Sequence, residues 1–199
     1  MTSILIHIKH RCPLIWRATE SVNGALFALC YPKFDRRARE ILCGHSSDGF
    51  GFSAVETEDI GPLSAFLNAV PASRLEFFAP HPFDEASLMR LHRNPGFMMM
   101  KITRDGAVAG YFFLRCFFIG KAFHGLIVDE KYSGRGLGSE MWALSSKICV
   151  AGGIRMYATV SEYNVASLIS AEKGTDVTVR GRLDNGYIMI ECKSRTENA

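Results

Sequence analysis

The chain has 199 residues, a net charge of +3 and 48% apolar residues. This length predicts one domain, and the apolar content is sufficient for a sizeable core. The charge is too small to indicate a nucleic-acid partner, and the longest apolar run contains glycine, arginine and lysine, so strands explain it better than a membrane span.

The cysteines and histidines show no spacing typical of a metal site. No two cysteines form a Cys-x-x-Cys pair, and Cys116, Cys149 and Cys192 lie within apolar segments. Free thiols of this kind are typical of a reducing compartment. The N-terminal residues also lack the pattern of a signal peptide, so we expect a cytoplasmic protein with no metal and no membrane attachment.

Residues 1–48 are predicted to form an N-terminal extension or arm. They contain a β-type run, a mixed apolar stretch and a basic helical pattern, at Ile4–Ile8, Leu14–Cys30 and Phe34–Cys43. Gly44 ends the helical pattern, and residues 46–49 have the composition of a linker. We predict a main domain over residues 49–193 and a tail over residues 194–199.

From residue 50 onward, strand and helix patterns follow in the order β-α-α-β-β-β-α-β-α-β-β. Apolar periodicity predicts the helices, and the turn sequences Arg104-Asp105-Gly106 and Asp184-Asn185-Gly186 predict two hairpins. The predicted strands begin at residue 50 and cover residues 97–103, 108–117, 122–128, 155–160, 177–182 and 187–192. The predicted helices cover residues 57–70, 84–93, 137–151 and 164–173.

A glycine-rich segment, residues 132–139, lies between a predicted strand and a predicted helix. Gly134, Gly136 and Gly138 leave backbone N–H groups unshielded where the helix begins. That end carries free donors and the positive pole of the helix dipole, which suits a phosphate. The alternative is a glycine turn that starts a helix and binds no ligand, because short glycine motifs are common by accident.

Three kinds of phosphate loop compete for this segment. A nucleoside-triphosphate loop requires a lysine that is absent here. A dinucleotide fingerprint would put its third glycine at Ser139, and Asp129-Glu130-Lys131 would separate it from its strand. The segment Ser133-Gly134-Arg135-Gly136-Leu137-Gly138 resembles the Arg/Gln-x-x-Gly-x-Gly/Ala loop of the GNAT superfamily of N-acetyltransferases, except at its first position.

Two flanking segments extend this resemblance to about residues 50–193. Residues 126–130 are similar to the family's fourth strand and its exit, and residues 160–167 to its fifth strand and a helix begun by Asn164. The resemblance implies an α/β (α+β) fold, with a central, mixed, mostly antiparallel sheet of about seven strands flanked by helices. It also implies an acyltransferase that binds coenzyme A.

Acetyl-CoA is the implied co-substrate. Its pyrophosphate would meet the glycine segment, and its pantetheine arm would pair with backbone in a gap between the strands that end at Val128 and Val160. Asn164 would face this arm, or only cap its helix. The implied cofactor-binding residues are Val128, Ser133, Gly134, Arg135, Gly136, Leu137, Gly138, Ser139 and Asn164.

The implied reaction is direct attack of a primary amine on the thioester. A backbone N–H near Val128 would stabilise the oxygen that becomes negative. His124 stands where several family members have a carboxylate, and an imidazole suits proton removal near neutral pH, although a structural histidine is the alternative. His81, in Pro80-His81-Pro82, would contact the acceptor or remain a solvated loop residue.

Two positions depart from the family pattern. Ser133 replaces the usual Arg or Gln, and Ala171 stands where the family often has the tyrosine that protonates the departing thiolate. Other candidate bases are Glu76, Asp129 and Glu130, and other candidate proton donors are Tyr111, Tyr157 and Tyr163. The acceptor would be an amine of a small molecule, such as an amino sugar, or of a protein, and a homodimer stays open. A non-catalytic acyl-CoA sensor or interaction module is the rival hypothesis.

Overall fold

The computed structural model describes residues 13–183 and 186–195. Their strands are β1 (Ser46–Ser47), β2 (Phe50–Ala54), β3 (Phe97–Arg104), β4 (Ala107–Phe117), β5 (Lys121–Val128), β6 (Arg155–Ser161), β7 (Asp176–Leu183) and β8 (Tyr187–Lys193). Their helices are α1 (Pro13–Cys30), α2 (Phe34–Cys43), α3 (Ile60–Ala69), α4 (Ala72–Leu75), α5 (Glu85–His92), α6 (Leu137–Gly152) and α7 (Val165–Gly174). The predicted strand Ile4–Ile8 and the turn residues Asp184 and Asn185 lie outside the described residues.

The described strands form one sheet in the order β1-β2-β3-β4-β5-β6-β8-β7. Only β5 and β6 pair in parallel, and every other neighbouring pair is antiparallel. The predicted mixed, mostly antiparallel sheet flanked by helices is therefore confirmed. The sheet has eight strands because the predicted linker contains the two-residue strand β1.

Helices cover both faces of the sheet, which explains why the sequence of β4 is apolar at nearly every position. Side chains alternate between the faces along the strand, so Phe112 and Leu114 join one core cluster and Tyr111 and Phe113 join the other. The first cluster contains side chains of α1, α2, α6 and α7, and the second contains side chains of α3 and α5. We call these two sides of the sheet the α6 face and the α3 face.

The N-terminal helices pack into the main core. Phe27 of α1 and Phe34, Ala38 and Leu42 of α2 are buried in the cluster on the α6 face. The helix α2 was predicted with the same bounds, whereas α1 was seen in the sequence only as a mixed apolar stretch. No helix among the described residues is long and apolar enough to cross a membrane.

Candidate active site

The neighbouring strands β5 and β6 separate from each other part way along their length. Pairing between β5 and β6 ends at Phe123 and Tyr157. The ladder between β4 and β5 instead continues to the pair of Gly110 and Val128. The C-terminal halves of β5 and β6 therefore leave a gap between them.

Backbone groups that take no part in the strand ladders face this gap. The Asp129 N–H donates to the Ala109 oxygen at 2.9 Å, so odd-numbered residues of this part of β5 bond to β4. Alternation then directs the N–H and C=O groups of Leu126 and Val128 away from β4 and toward the gap. Thr159 of β6 faces them by the same alternation, because the bond from Glu162 N–H fixes the β6–β8 register.

The gap opens into a cavity of about 680 Å³, a size typical of small-molecule and cofactor sites. Its lining comes from the ends of β5 and β6, the segment that includes α4, the glycine segment and α7. The lining residues are Ser73, Arg74, Phe77, Phe78, His124, Gly125, Leu126, Ile127, Val128, Tyr132, Ser133, Gly134, Gly136, Leu137, Gly138, Ser139, Trp142, Ala158, Thr159, Val160, Ser161, Asn164, Ala166, Ser167, Ile169, Ser170 and Lys173.

The glycine segment forms the N-terminal end of α6, as predicted. Gly134 and Gly136 have φ angles of 79° and 85°, a left-handed conformation that favours glycine. Gly136 is the N-cap and offers no side chain, so the N–H groups of Leu137, Gly138 and Ser139 have no partner within the helix or from a capping side chain. These donors line the cavity at the positive end of a 16-residue helix.

His124 lies at the cavity wall on the α6 face, with 6% of its surface exposed. Its ring centroid is 4.3 Å from that of Trp142, and neither ring nitrogen has a hydrogen-bond partner among the described residues. Burial lowers the pKa of His124 from 6.5 to about 3. The nearby Phe113 carbonyl acts in the opposite direction and raises this pKa by a smaller amount, although it is not placed to form a hydrogen bond with the ring. The imidazole is therefore neutral near neutral pH, and it is a weaker base than its ordinary pKa predicts.

Predicted acceptor residue His81 does not line this cavity. Its Nδ1 lies 2.9 Å from the Pro82 oxygen, which makes Nδ1 the protonated nitrogen, and its Nε2 lies 3.1 Å from the Tyr111 hydroxyl. The ring also packs edge-on against Phe83 and Phe97. In this geometry both ring nitrogens already have protein partners.

The remaining predicted residues differ in how close they come to the cavity. Asn164 lines it and also caps α7, because its Oδ1 accepts a hydrogen bond from the Ser167 N–H at 3.1 Å. The side chain of Arg135 lies beside the Tyr132 ring, and Arg135 is not a lining residue. Ala171 is fully buried, so the position of the family's tyrosine contributes no proton donor.

Arg74 was missed in the sequence. It lies on the short helix α4, and its Nη1 donates to Ser133 Oγ and its Nη2 to the Val128 oxygen, each at 3.1 Å. No acidic group forms an ion pair with it within the part of the chain that the structure describes. No sequence motif marks it, because its partners lie 54 and 59 residues away.

A comparison with protein-family models matches residues 64–173, more than half of the chain, to the acetyltransferase (GNAT) family. A search of curated proteins finds no match.

Solved acetyltransferases share the fold. A ribosomal-protein-S5-alanine acetyltransferase from Vibrio fischeri is 12% identical, with a TM-score of 0.64 over 77% of this chain and 97% of that chain. A ribosomal L7/L12 alpha-N-protein acetyltransferase, solved with coenzyme A, is 18% identical, with a TM-score of 0.61 over 74% and 95%. An aminoglycoside acetyltransferase, solved with coenzyme A and kanamycin, is 13% identical, with a TM-score of 0.58 over 73% and 95%. The chain therefore belongs to the acetyltransferase (GNAT) family, and it is an acyltransferase.

Proposed function

We propose that this enzyme transfers an acetyl group directly from acetyl-CoA to a primary amine of a small molecule or a protein. One observation carries the proposal: the unpaired backbone of β5, the free N–H groups of α6 and the unpartnered His124 all line one cavity. An amino sugar is one candidate acceptor. Serine side chains occur in the lining, but the transfer we propose needs no nucleophilic side chain.

The residues present suit acetyl-CoA. Its diphosphate would meet the N–H groups of Leu137, Gly138 and Ser139, where the helix dipole favours negative charge. Its amide-bearing arm would pair with the free groups of Leu126 and Thr159, as an extended strand adds to an open edge. Bound in this way, acetyl-CoA supplies the acetyl thioester, and the protein positions it.

The backbone N–H of Val128 is the proposed donor to the thioester oxygen as negative charge develops there. This N–H points into the gap and is not required by the β4 ladder. A fixed donor of this kind is effective because it needs no reorganisation during the reaction. The predicted role of Val128 thus rests on the separation of β5 from β6, because the β4–β5 register is regular there.

His124 is the proposed proton acceptor, directly or through a water molecule. Its nitrogens are free and neutral, but its pKa of about 3 makes it a weak base. A lysine-like amine, with a pKa of about 10.4, would be deprotonated slowly by such a group. The site is therefore better suited to acceptors whose own pKa is lower or is lowered on binding.

The rival function is a non-catalytic sensor that binds acyl-CoA. The alanine at position 171 and the weak basicity of His124 favour it, because the first offers no proton donor and the second only a weak proton acceptor. The sensor hypothesis uses the same coenzyme site as the enzyme hypothesis, and the two differ only in whether acetyl-CoA is turned over.

Two measurements test the proposal. Calorimetry should show saturable binding of coenzyme A, and a thiol-release assay should show acetyl-CoA consumption with amines drawn from amino sugars, polyamines, aminoglycosides and peptides. Binding without turnover over the whole panel would favour the sensor. Absence of binding would contradict both functions.

A further inference from the structure

The cavity has an uneven distribution of charge. Arg74 and Lys173 are its cationic lining residues, and no aspartate or glutamate occurs among the described residues that line it. An acceptor that carries several ammonium groups would find no counter-charge here. An acceptor with an anionic group would find a positive counter-charge here.

The two cations are carried by segments that pack on opposite faces of the sheet. Lys173 lies on α7, the helix whose Ser170 lies 3.3 Å from where a Cβ on Gly138 would be. Lys173 therefore shares a side with the N-terminus of α6 and with the proposed diphosphate site. Free N–H groups, the helix dipole and this lysine together give that end the positive charge that a diphosphate requires.

Arg74 approaches from the opposite face of the sheet. The segment that carries it packs on the α3 face, where Phe78 lies 6.4 Å from Tyr111 and from Phe113 between ring centroids. Its guanidinium reaches the C-terminal end of β5, next to the proposed donor at Val128. Two hydrogen bonds fix its position, and its other N–H groups remain available to a ligand.

The walls on this side are aromatic. Phe77 and Phe78 line the cavity, and the ring of Phe113 packs behind Phe78 over Gly125, where it would lie 2.6 Å from an added Cβ. Arg74 is half-buried, and a guanidinium recognises a carboxylate strongly because its planar fork can make paired hydrogen bonds. The surface thus offers one anion contact and apolar contacts close to the reaction centre.

We propose that the acceptor is a small amine with a carboxylate or phosphate on a short, largely apolar body, and that Arg74 binds this anionic group. This inference rests on the proposed function and narrows it. Holding the anionic group next to Val128 also places the amine near the reaction centre, which raises its effective concentration there. Arg74 would in this way contribute to both recognition and reactivity.

Matched pairs of amines test the proposal: leucine with 3-methylbutylamine, phenylalanine with 2-phenylethylamine, and glucosamine 6-phosphate with glucosamine. Calorimetry on the protein saturated with coenzyme A measures the binding of each amine, and the thiol-release assay measures kcat/KM. We expect at least one amine that carries a carboxylate or phosphate to be favoured over the partner that lacks this group by about 10- to 100-fold, the usual range for a hydrogen bond to a charged group. Arg74→Gln should abolish that preference, and Arg74→Lys should keep part of it.

Lys173→Gln is the matched control, because it removes the other lining cation. It should weaken coenzyme A binding and leave the ratio between paired amines unchanged. Equal use of paired amines by the wild type, or no binding of any anionic amine to the coenzyme complex, would overturn the inference. So would an Arg74→Gln variant that only weakens coenzyme A, since Arg74 would then serve the diphosphate. In each of these cases bound coenzyme A would still support the proposed function, whose own failure is seen as absent coenzyme binding.

Discussion

The strand β5 has two neighbours, and it is used differently along its two edges. Toward β4 it pairs over eight residues, whereas toward β6 it pairs over three. On the β4 edge the packing is close, since a Cβ on Gly110 would lie 3.2 Å from the Ile127 oxygen of β5. On the β6 edge the backbone groups of Leu126 and Val128 face a cavity. One edge thus stabilises the sheet, and the other is left open to a ligand.

The largest effect on catalysis is expected at Val128, on the open edge of β5 next to the proposed site of reaction. Val128→Pro removes an N–H that points into the gap, so the β4 ladder loses no hydrogen bond. If this N–H stabilises the thioester oxygen, kcat should fall by about 10²- to 10³-fold. Steady-state kinetics with the best amine from the screen would measure the loss.

Ile127→Pro is the control for this comparison. The Ile127 N–H belongs to the β4 ladder, opposite Tyr111, so the change removes a ladder hydrogen bond and should destabilise the protein by about 1–3 kcal/mol, the cost of a buried carbonyl left unsatisfied. Thermal unfolding should therefore distinguish the neighbouring substitutions. If Val128→Pro retained wild-type kcat, this N–H would have no catalytic role, and if both variants unfolded equally, the two edges would not differ as described.

The next largest effect concerns the side chain that borders the gap. His124→Ala should lower kcat by about 10²-fold, the low end for a general base, because burial makes this imidazole a weak base. Coenzyme A affinity should hold, since the proposed diphosphate site lies at α6. His92→Ala, on the exposed side of α5, is the histidine control. Unchanged acetyl-CoA consumption in His124→Ala would remove His124 from the mechanism.

Local patterns in the sequence predicted most of what surrounds the gap. The strand β5, the glycine segment and α6 are consecutive, and their periodicities and turn residues are visible within residues 121–152. The helix α1 was missed because it has apolar residues on more than one side: Phe27 is buried while Val22 and Leu29 are exposed. A four-residue helix such as α4 is too short to show any period.

The chemistry of the site was harder to predict, because it depends on contacts between distant segments. From the sequence alone, the expected pKa of His124 is the ordinary value for histidine. In the fold, Trp142, 18 positions later in the sequence, packs on the His124 ring and buries it. Likewise, nothing near Arg74 in the sequence indicates that it reaches Ser133 and Val128. Neither the separation of β5 from β6 nor its position could be read from periodicity, and only the family resemblance implied it.

A smaller effect should appear in stability against pH. The pKa of His124 is lowered to about 3 in the fold, so between pH 6.5 and pH 3 the unfolded chain binds a proton that the folded chain does not. Because of this histidine, the free energy of unfolding should decrease by about 2 kcal/mol as the pH falls from 7 to 5. Urea unfolding of wild type and His124→Leu at both pH values measures this difference, since the other histidines are common to both proteins. Equal pH dependence in the two would mean that His124 is protonated as readily in the fold as outside it.

The smallest effect compares the two ends of α6, the helix next to the gap. Gly136 at its start and Gly153 at its end both have positive φ, 85° and 73°, and a Cβ on either would meet no neighbouring atom. Gly136→Ala and Gly153→Ala should each destabilise the protein by about 1 kcal/mol, because alanine is strained in this conformation. Only Gly136 positions the free N–H groups proposed to hold the diphosphate, so only Gly136→Ala should also weaken coenzyme A binding in calorimetry. Equal loss of affinity in both variants would mean that the glycine segment acts through helix stability alone.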